Sequence, residues 1–574
     1  MDSELLRTRL GRRTLLRGAA LGGVGLATAA VIGCGDDDDD EVAAPAQPAA
    51  PAATAAAPAA TAAATAAPAA AATAAATAAP APVVMGSVIQ GRQNKSPSMD
   101  PNTTALAPAE YYAVYDPLTR LDVTGGVVEP ALAESWEPQG RDWIFNIREA
   151  EWSDGTPATA EDVKFSFEYY ANPDNQSRLI SRVNTQESVT VVDPRTVRIR
   201  AVGTDPIMPR RAALPYILPK HVYEATGTQT SFSEALAKNP IGTGSYVVTN
   251  IVQDQTIDFA ASPSSWRGHR GFTEAKLNII EEYTTLVAAL ETRDLDFMSR
   301  VPATEVARVN GFSDIKTGGP ASLGAQHWDF NNRVAEQNPT NDVRVRRALI
   351  NAIDAQLIID AVYRSLGSPA LNQIPSEPVF GFSPDKTPVP YDPDTARQLL
   401  KDAGFPNGFD MQVDSRLAGD AKAEVEATTG FWNEIGLNTS INVLEINIWR
   451  DRLYGREQAP WPGAFNAGWV AYLYDASFLY DWYEGDGAYR LWDGPEDPTA
   501  KQFDALYGAA IVELDDEKRA GIYRQINDLF SYEGAAPVGP TRYGVSPNGW
   551  YTDVIADYVP RNFPELNYDE ITPA

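Results

Sequence analysis

A single cysteine, Cys34, stands in 574 residues, and no intrachain disulfide is possible. Histidine is almost as scarce. His221, His269 and His327 lie far apart, with no His-Glu-x-x-His and no partner cysteine, which leaves a zinc site little support. No Gly-x-Ser-x-Gly elbow is present, so nucleophilic hydrolysis lacks its parts, although chance pairs among the many carboxylates keep a secreted hydrolase as a distant alternative. Positive charge is in deficit, with 47 Lys and Arg against 76 Asp and Glu and a net charge of −29. A nucleic-acid phosphate backbone needs clustered cations, so that partner class is excluded and the acidity reads as solubility. The one sustained apolar run, residues 18–33, is about 16 residues long, short of the roughly 20 that span a bilayer as a helix. Nothing in the sequence calls for a cofactor.

That short run has a clear context. Arg12 and Arg13 precede it as a twin-arginine pair, and it ends in Val31-Ile32-Gly33-Cys34, which resembles a bacterial lipobox. The expectation is a signal peptide over 1–34 with Cys34 as the lipidated residue, anchoring the chain to the outer face of the cytoplasmic membrane, exported by the twin-arginine or the general route. Residues 36–40 are a run of aspartates that cannot pack, and 42–82 is almost wholly Ala, Pro and Thr. Recurring proline opposes a long helix there, so 35–82 reads as a disordered tether; as a flexible coil of about 40 residues it would span on the order of 35 Å.

With 44% hydrophobic and 10% aromatic residues, the remaining chain has enough apolar material for more than one lobe. Residues 115–167 organise it. Turn pairs at Gly125-Gly126, Gln139-Gly140 and Asp154-Gly155 separate short strand-like runs, and Trp143, Phe145 and Ile147 alternate as one face of a half-buried strand. Thr159 with Glu161 and Asp162 then opens a helix. Further on, Asp342 caps a helix whose Val345, Ala348, Leu349, Ala352 and Ile353 share one face, and its arginines read as a solvated side. A second capped helix begins at Asp392 and stops at Gly404. Gly242-x-Gly244 invites a phosphate-binding reading, but the strand-like Tyr246-Val247-Val248 follows in place of a helix N-terminus, and no P-loop lysine is present. Strands and helices mixed in several blocks argue for α/β lobes with helix-covered sheets.

Several blocks carry a more specific signal: YDPLTRLD, PALAESWE, IREAEWSDGTPATAEDVKFS, NPIGTGSYVV, NDVRVRRALINAID and YDPDTARQLLKDAGF. In this order they resemble the family 5 extracytoplasmic solute-binding proteins of ATP-binding cassette importers, the peptide, nickel and oligosaccharide type. The resemblance implies a two-lobe periplasmic-binding-protein-like fold (type II, large class) with an extra small subdomain in the first lobe. It divides the body into lobe I from 83–115, 206–322 and 541–574, the small subdomain at 116–205, and lobe II at 323–540. It also implies a monomer without enzymatic activity that closes on a solute by a hinge and hands it to a membrane permease. Peptide is the leading solute; oligosaccharide, opine-like compounds and metal chelates are the alternatives. A surface adhesion module on the long tether is the rival from another class.

Aromatic residues crowd residues 461–492, and aromatic faces suit sugars, peptide side chains and cations. GWVAYLYDASF resembles the family's site-forming loop, which makes Trp469, Tyr472 and Asp475 the first ligand candidates. Peptide-binding relatives commonly carry, at the position of Tyr472, an aspartate that pairs with the peptide amino group, and some carry an arginine at the position of Asn466. Asp475 is expected to take over the missing negative charge. Trp328 and Asn331 are expected on the other cleft wall, and Tyr112 either beside the cleft in lobe I or in its aromatic core.

Overall fold

The computed structural model describes residues 86–93, 95, 98–103, 109–122, 124–268, 271–332, 338–415, 420–445, 448–449, 463–468, 470–485, 492, 497–562 and 566–574. The expected signal peptide, tether, Cys34 and Trp469 lie outside them. Among the described residues no helix is long and apolar enough to cross a membrane.

Two mixed sheets form the body. The first has seven strands in the order Ile315–Gly318, Asn548–Tyr551, Phe297–Met298, Ser87–Arg92, Glu274–Ile279, Thr256–Ala261 and Tyr246–Val252. Its centre is parallel, where Ser87–Arg92 runs beside both Glu274–Ile279 and Phe297–Met298. The second has six, in the order Gly367–Pro369, Val538–Gly544, Gln326–Phe330, Ala464–Gly468, Asp410–Ser415 and Asn438–Val443. The chain passes between these sheets twice, before Gln326 and after Gly544, and the two crossings run side by side. Ser322 donates its N–H to the Gly544 carbonyl at 2.8 Å, and Ala321 bridges to Val545.

A separate four-stranded antiparallel sheet is made from Ala133–Gln139, Asp142–Ile147, Thr196–Ala201 and Gln186–Asp193. The alternation read from sequence holds here: Trp143, Phe145 and Ile147 are buried with Val197 and Ile199 against Val163, Phe167 and Tyr170 of the helix Ala160–Ala171. That helix begins as expected, with the Asp162 carboxylate accepting the Thr159 N–H at 2.8 Å. This reciprocal cap satisfies a donor that a helix start otherwise leaves open.

In the second lobe, helix Val343–Asn351 buries Val345, Ala348 and Leu349 over the sheet, with Asp342 accepting the Arg344 N–H at 2.8 Å. The solvated arginine face expected there needs correction. Arg346 is buried and donates to the carbonyls of Thr340, Asn341, Ala535 and Ala536, and Arg347 donates to those of Tyr532, Glu533 and Gly534. Burial brings the Arg346 guanidinium down to about 10. These two side chains knit the helix to the loop after Phe530, a role that composition cannot express.

The glycines of Gly242-x-Gly244 serve close packing. The Gly244 N–H meets the Val114 carbonyl at 2.9 Å, and a Cβ at Gly242 would fall 1.8 Å from that same oxygen. Only an absent side chain lets the backbone pass there. Ser245, which follows, is fixed by donating to Asp569 at 2.7 Å.

Candidate functional site

The loop at 470–485 begins with tight turns: the Tyr472 N–H meets the Val470 carbonyl at 2.9 Å, and the Tyr474 N–H meets Ala471 at 2.7 Å. Tyr474 takes a left-handed φ of 54°. From there Phe380 clamps the loop, giving its N–H to Tyr474 at 2.8 Å and accepting that of Ala476 at 2.9 Å. Asp475, inside this clamp, accepts the Ser477 N–H at 3.0 Å and holds Arg519 at 2.5 Å and the Tyr523 hydroxyl at 3.2 Å. Burial alone would lower the pKa of Arg519, but Asp475 and Tyr523 hold it above its ordinary value. Asp475 is therefore an internal ion pair that fixes the loop's shape. Its side chain is wholly buried, with both oxygens engaged, and it does not stand open for a ligand ammonium.

The clamp leaves Tyr472 and Tyr474 projecting towards the small subdomain. The Tyr474 ring lies against the Gly125 turn. Arg210, from Met208–Arg211, reaches both sides of this contact, donating to Gly125 at 2.8 Å, to Gly126 at 2.6 Å and to Leu473 at 3.2 Å. Arg182, from Ile180–Val183, lies over the rings of Phe478 at 4.9 Å and Tyr472 at 5.9 Å. Tyr472 is half-buried; its pKa is raised by burial, and Arg182 and Arg300 oppose that rise. No sequence motif marks any of these arginines, and only the folded neighbourhood reveals them.

The remaining candidates are not brought together. Trp328 is fully buried on the helix side of its sheet, 4.7 Å from Trp432, and lines no cleft wall. Asn466 is the cross-strand partner of Trp328, so it shares that face and is buried with it. Asn331 is also fully buried; its N–H meets the Gly463 carbonyl at 2.9 Å and its carbonyl accepts from Thr340. Tyr112 packs edge-on against Tyr216 at 5.8 Å, with Arg120 over its ring at 5.7 Å, and behaves as a core aromatic. For Trp328 and Asn466 the period-2 rule decides: alternate strand residues face opposite layers, and Trp328 and Phe330 take the helix side. Phe478, Tyr480, Tyr483 and Trp492 are likewise buried in the largest core cluster, together with Phe503 and Phe530. We expect Trp328→Ala to cost about 3–5 kcal/mol of stability. Urea unfolding should show that loss, and solute affinity of the protein that remains folded should be unchanged.

Residues 127–490 match the family model described as bacterial extracellular solute-binding proteins, family 5 middle. The chain is 27% identical over 480 residues to heme-binding protein A of Haemophilus influenzae, covering 76% of this chain and 85% of that protein. It is 27% identical over 361 residues to the dipeptide-binding protein of Escherichia coli, covering 58% of this chain and 66% of that one. In fold it is similar to HbpA2 of Haemophilus parasuis, with a TM-score of 0.73 at 22% identity over 85% of this chain and 100% of that chain. With the model match covering well over half its length, the chain belongs to the family 5 bacterial extracellular solute-binding proteins, the extracytoplasmic binding components, and not enzymes, of ATP-binding cassette importers.

Proposed function

We propose that this chain captures a small peptide between its two lobes and delivers it unaltered to a membrane permease, while lipid on Cys34 holds it at the membrane. The observation that carries the reading is the clamped loop at 470–485, whose Tyr472 is partly open between arginines of two other elements. The likeness to the dipeptide-binding protein of Escherichia coli supports peptide as the solute, and the equal identity to heme-binding protein A over a longer span makes heme the second reading. The paired crossings supply a hinge, and tighter binding by the closed form shifts the population towards closure. Trp469, outside the described residues, stays a proposed ligand contact on the family resemblance of GWVAYLYDASF alone.

One preparation tests both halves of this reading. Protein extracted by detergent from the membranes of its own cells should show, under native mass spectrometry, a released peptide of intact mass and an acyl increment on the fragment that begins at Cys34. Recovery of cleavage products, or of a non-peptide solute, would sink peptide capture. An unmodified Cys34 would sink the anchor.

A further inference from the structure

Arg182 is unlike the other half-buried arginines near the loop. Arg211 is paired with Asp205 at 2.9 Å, and Arg210 is engaged by three carbonyls. The Arg182 guanidinium lies over two ring faces, within electrostatic reach of Asp481 and Arg211, and its Nε is buried with no hydrogen-bond acceptor among the described residues. A ring face meets the cation's charge, but it leaves the in-plane N–H donors unanswered. Burial lowers the guanidinium's pKa although Asp481 attracts the group, and among the described residues no ion pair joins the two. Arg300 adds positive potential at the neighbouring Tyr472. A buried N–H such as this Nε donor costs free energy unless an acceptor arrives.

We propose that Arg182 is an anion receptor for the captured solute, taking a carboxylate or a comparable planar oxyanion between the Tyr472 and Phe478 edges. The fork of a guanidinium fits a carboxylate through two parallel hydrogen bonds. Because Arg182 comes from the small subdomain and the rings come from the second lobe, a bound anion touches both sides and favours their approach. This rests on the interlobe capture proposed above and adds the sign of the solute's charge. That sign runs against the protein's net charge of −29, so a preference for anions must come from local groups.

Calorimetry on the whole protein with a mixed tripeptide pool, compared with the same pool amidated at its C-termini, tests the assignment. Wild type should bind the free-acid pool about 10-fold more tightly or better, the fold-change of one charge-assisted pair. Arg182→Met should reduce both pools to the amidated level, and Arg182→Lys should restore part of the difference. If Arg182→Met melts early, Arg182→Lys, which keeps the charge but loses the fork, is read alone and should show a narrowed preference. Equal binding of both pools by wild type, or a preference that survives Arg182 substitution, overturns the receptor and leaves interlobe capture standing. If neither pool binds, peptide capture fails instead, and the receptor is judged on the solute released in native mass spectrometry. A neutral or cationic solute then overturns it, whereas an anionic one whose recovery falls about 10-fold in Arg182→Met supports it.

Discussion

Asp475→Asn is expected to lower the unfolding free energy by about 3–5 kcal/mol, the cost of leaving one partner of a buried ion pair uncompensated. The substitution isolates charge: asparagine still offers an oxygen to the Ser477 N–H, so the local turn survives. What is lost is the buried partner of Arg519, whose side chain is 4% exposed, sits over the Phe380 ring at 3.9 Å and keeps, among the described residues, only the exposed Asp516 as an ion partner at 3.0 Å. Water cannot easily take the carboxylate's place there. Removing both charges with Asp475→Asn and Arg519→Met should recover part of the loss, since a buried pair replaced by neutral groups costs far less than a broken one. Urea denaturation of the three variants measures this directly. A single-variant loss below about 1 kcal/mol would mean that the pair is hydrated and does not hold the loop.

Gly125→Ala should act on affinity and leave overall folding nearly intact. Gly125 has φ +72°, and a Cβ there would stand 2.1 Å from the Tyr474 ring. Alanine in the left-handed region costs roughly 1–2 kcal/mol by itself. The larger effect is steric. The turn is a surface feature of the small subdomain, but its contact with Tyr474 exists only where subdomain and second-lobe loop meet. In the proposed interlobe closure, a side chain at 125 disfavours the arrangement in which the Gly125 turn and Tyr474 meet. If closure becomes about 2 kcal/mol harder, apparent affinity falls about 30-fold, because the solute must supply that difference. Calorimetry with the co-purified solute gives the affinity, and X-ray scattering should show a radius that no longer contracts fully on binding. Unchanged affinity and full contraction would remove the Gly125 contact from the closing surface.

How much of this was legible beforehand depends on the range of the interaction. Caps at Asp162, Asp342 and Asp392 could be read because both partners lie within three residues, as in the Asp392 carboxylate accepting the Thr395 N–H at 2.9 Å. The strand with Trp143, Phe145 and Ile147 could be read because one face is buried and the other is not. Asp475 was misjudged because its partner, Arg519, is 44 residues away on another helix. Trp328 was misjudged because a strand buried on both sides hides which layer each residue faces. Arg182 carries no local signature, since it lies in a single short helical turn and acquires meaning only from rings nearly 300 positions further on.

The paired crossings bear on how such a protein couples motion to its cargo. Residues 319–325 and 543–547 are tied to each other by the Ser322–Gly544 hydrogen bond and the Ala321–Val545 bridge, and the Leu323 carbonyl also accepts the N–H of Ala471, the residue before Tyr472, at 3.4 Å. In the proposed closure both strands twist as one ribbon, and the Ala471–Leu323 hydrogen bond carries that twist into the loop that holds Tyr472. The wall that would choose the solute and the strands that would move then form one mechanical element.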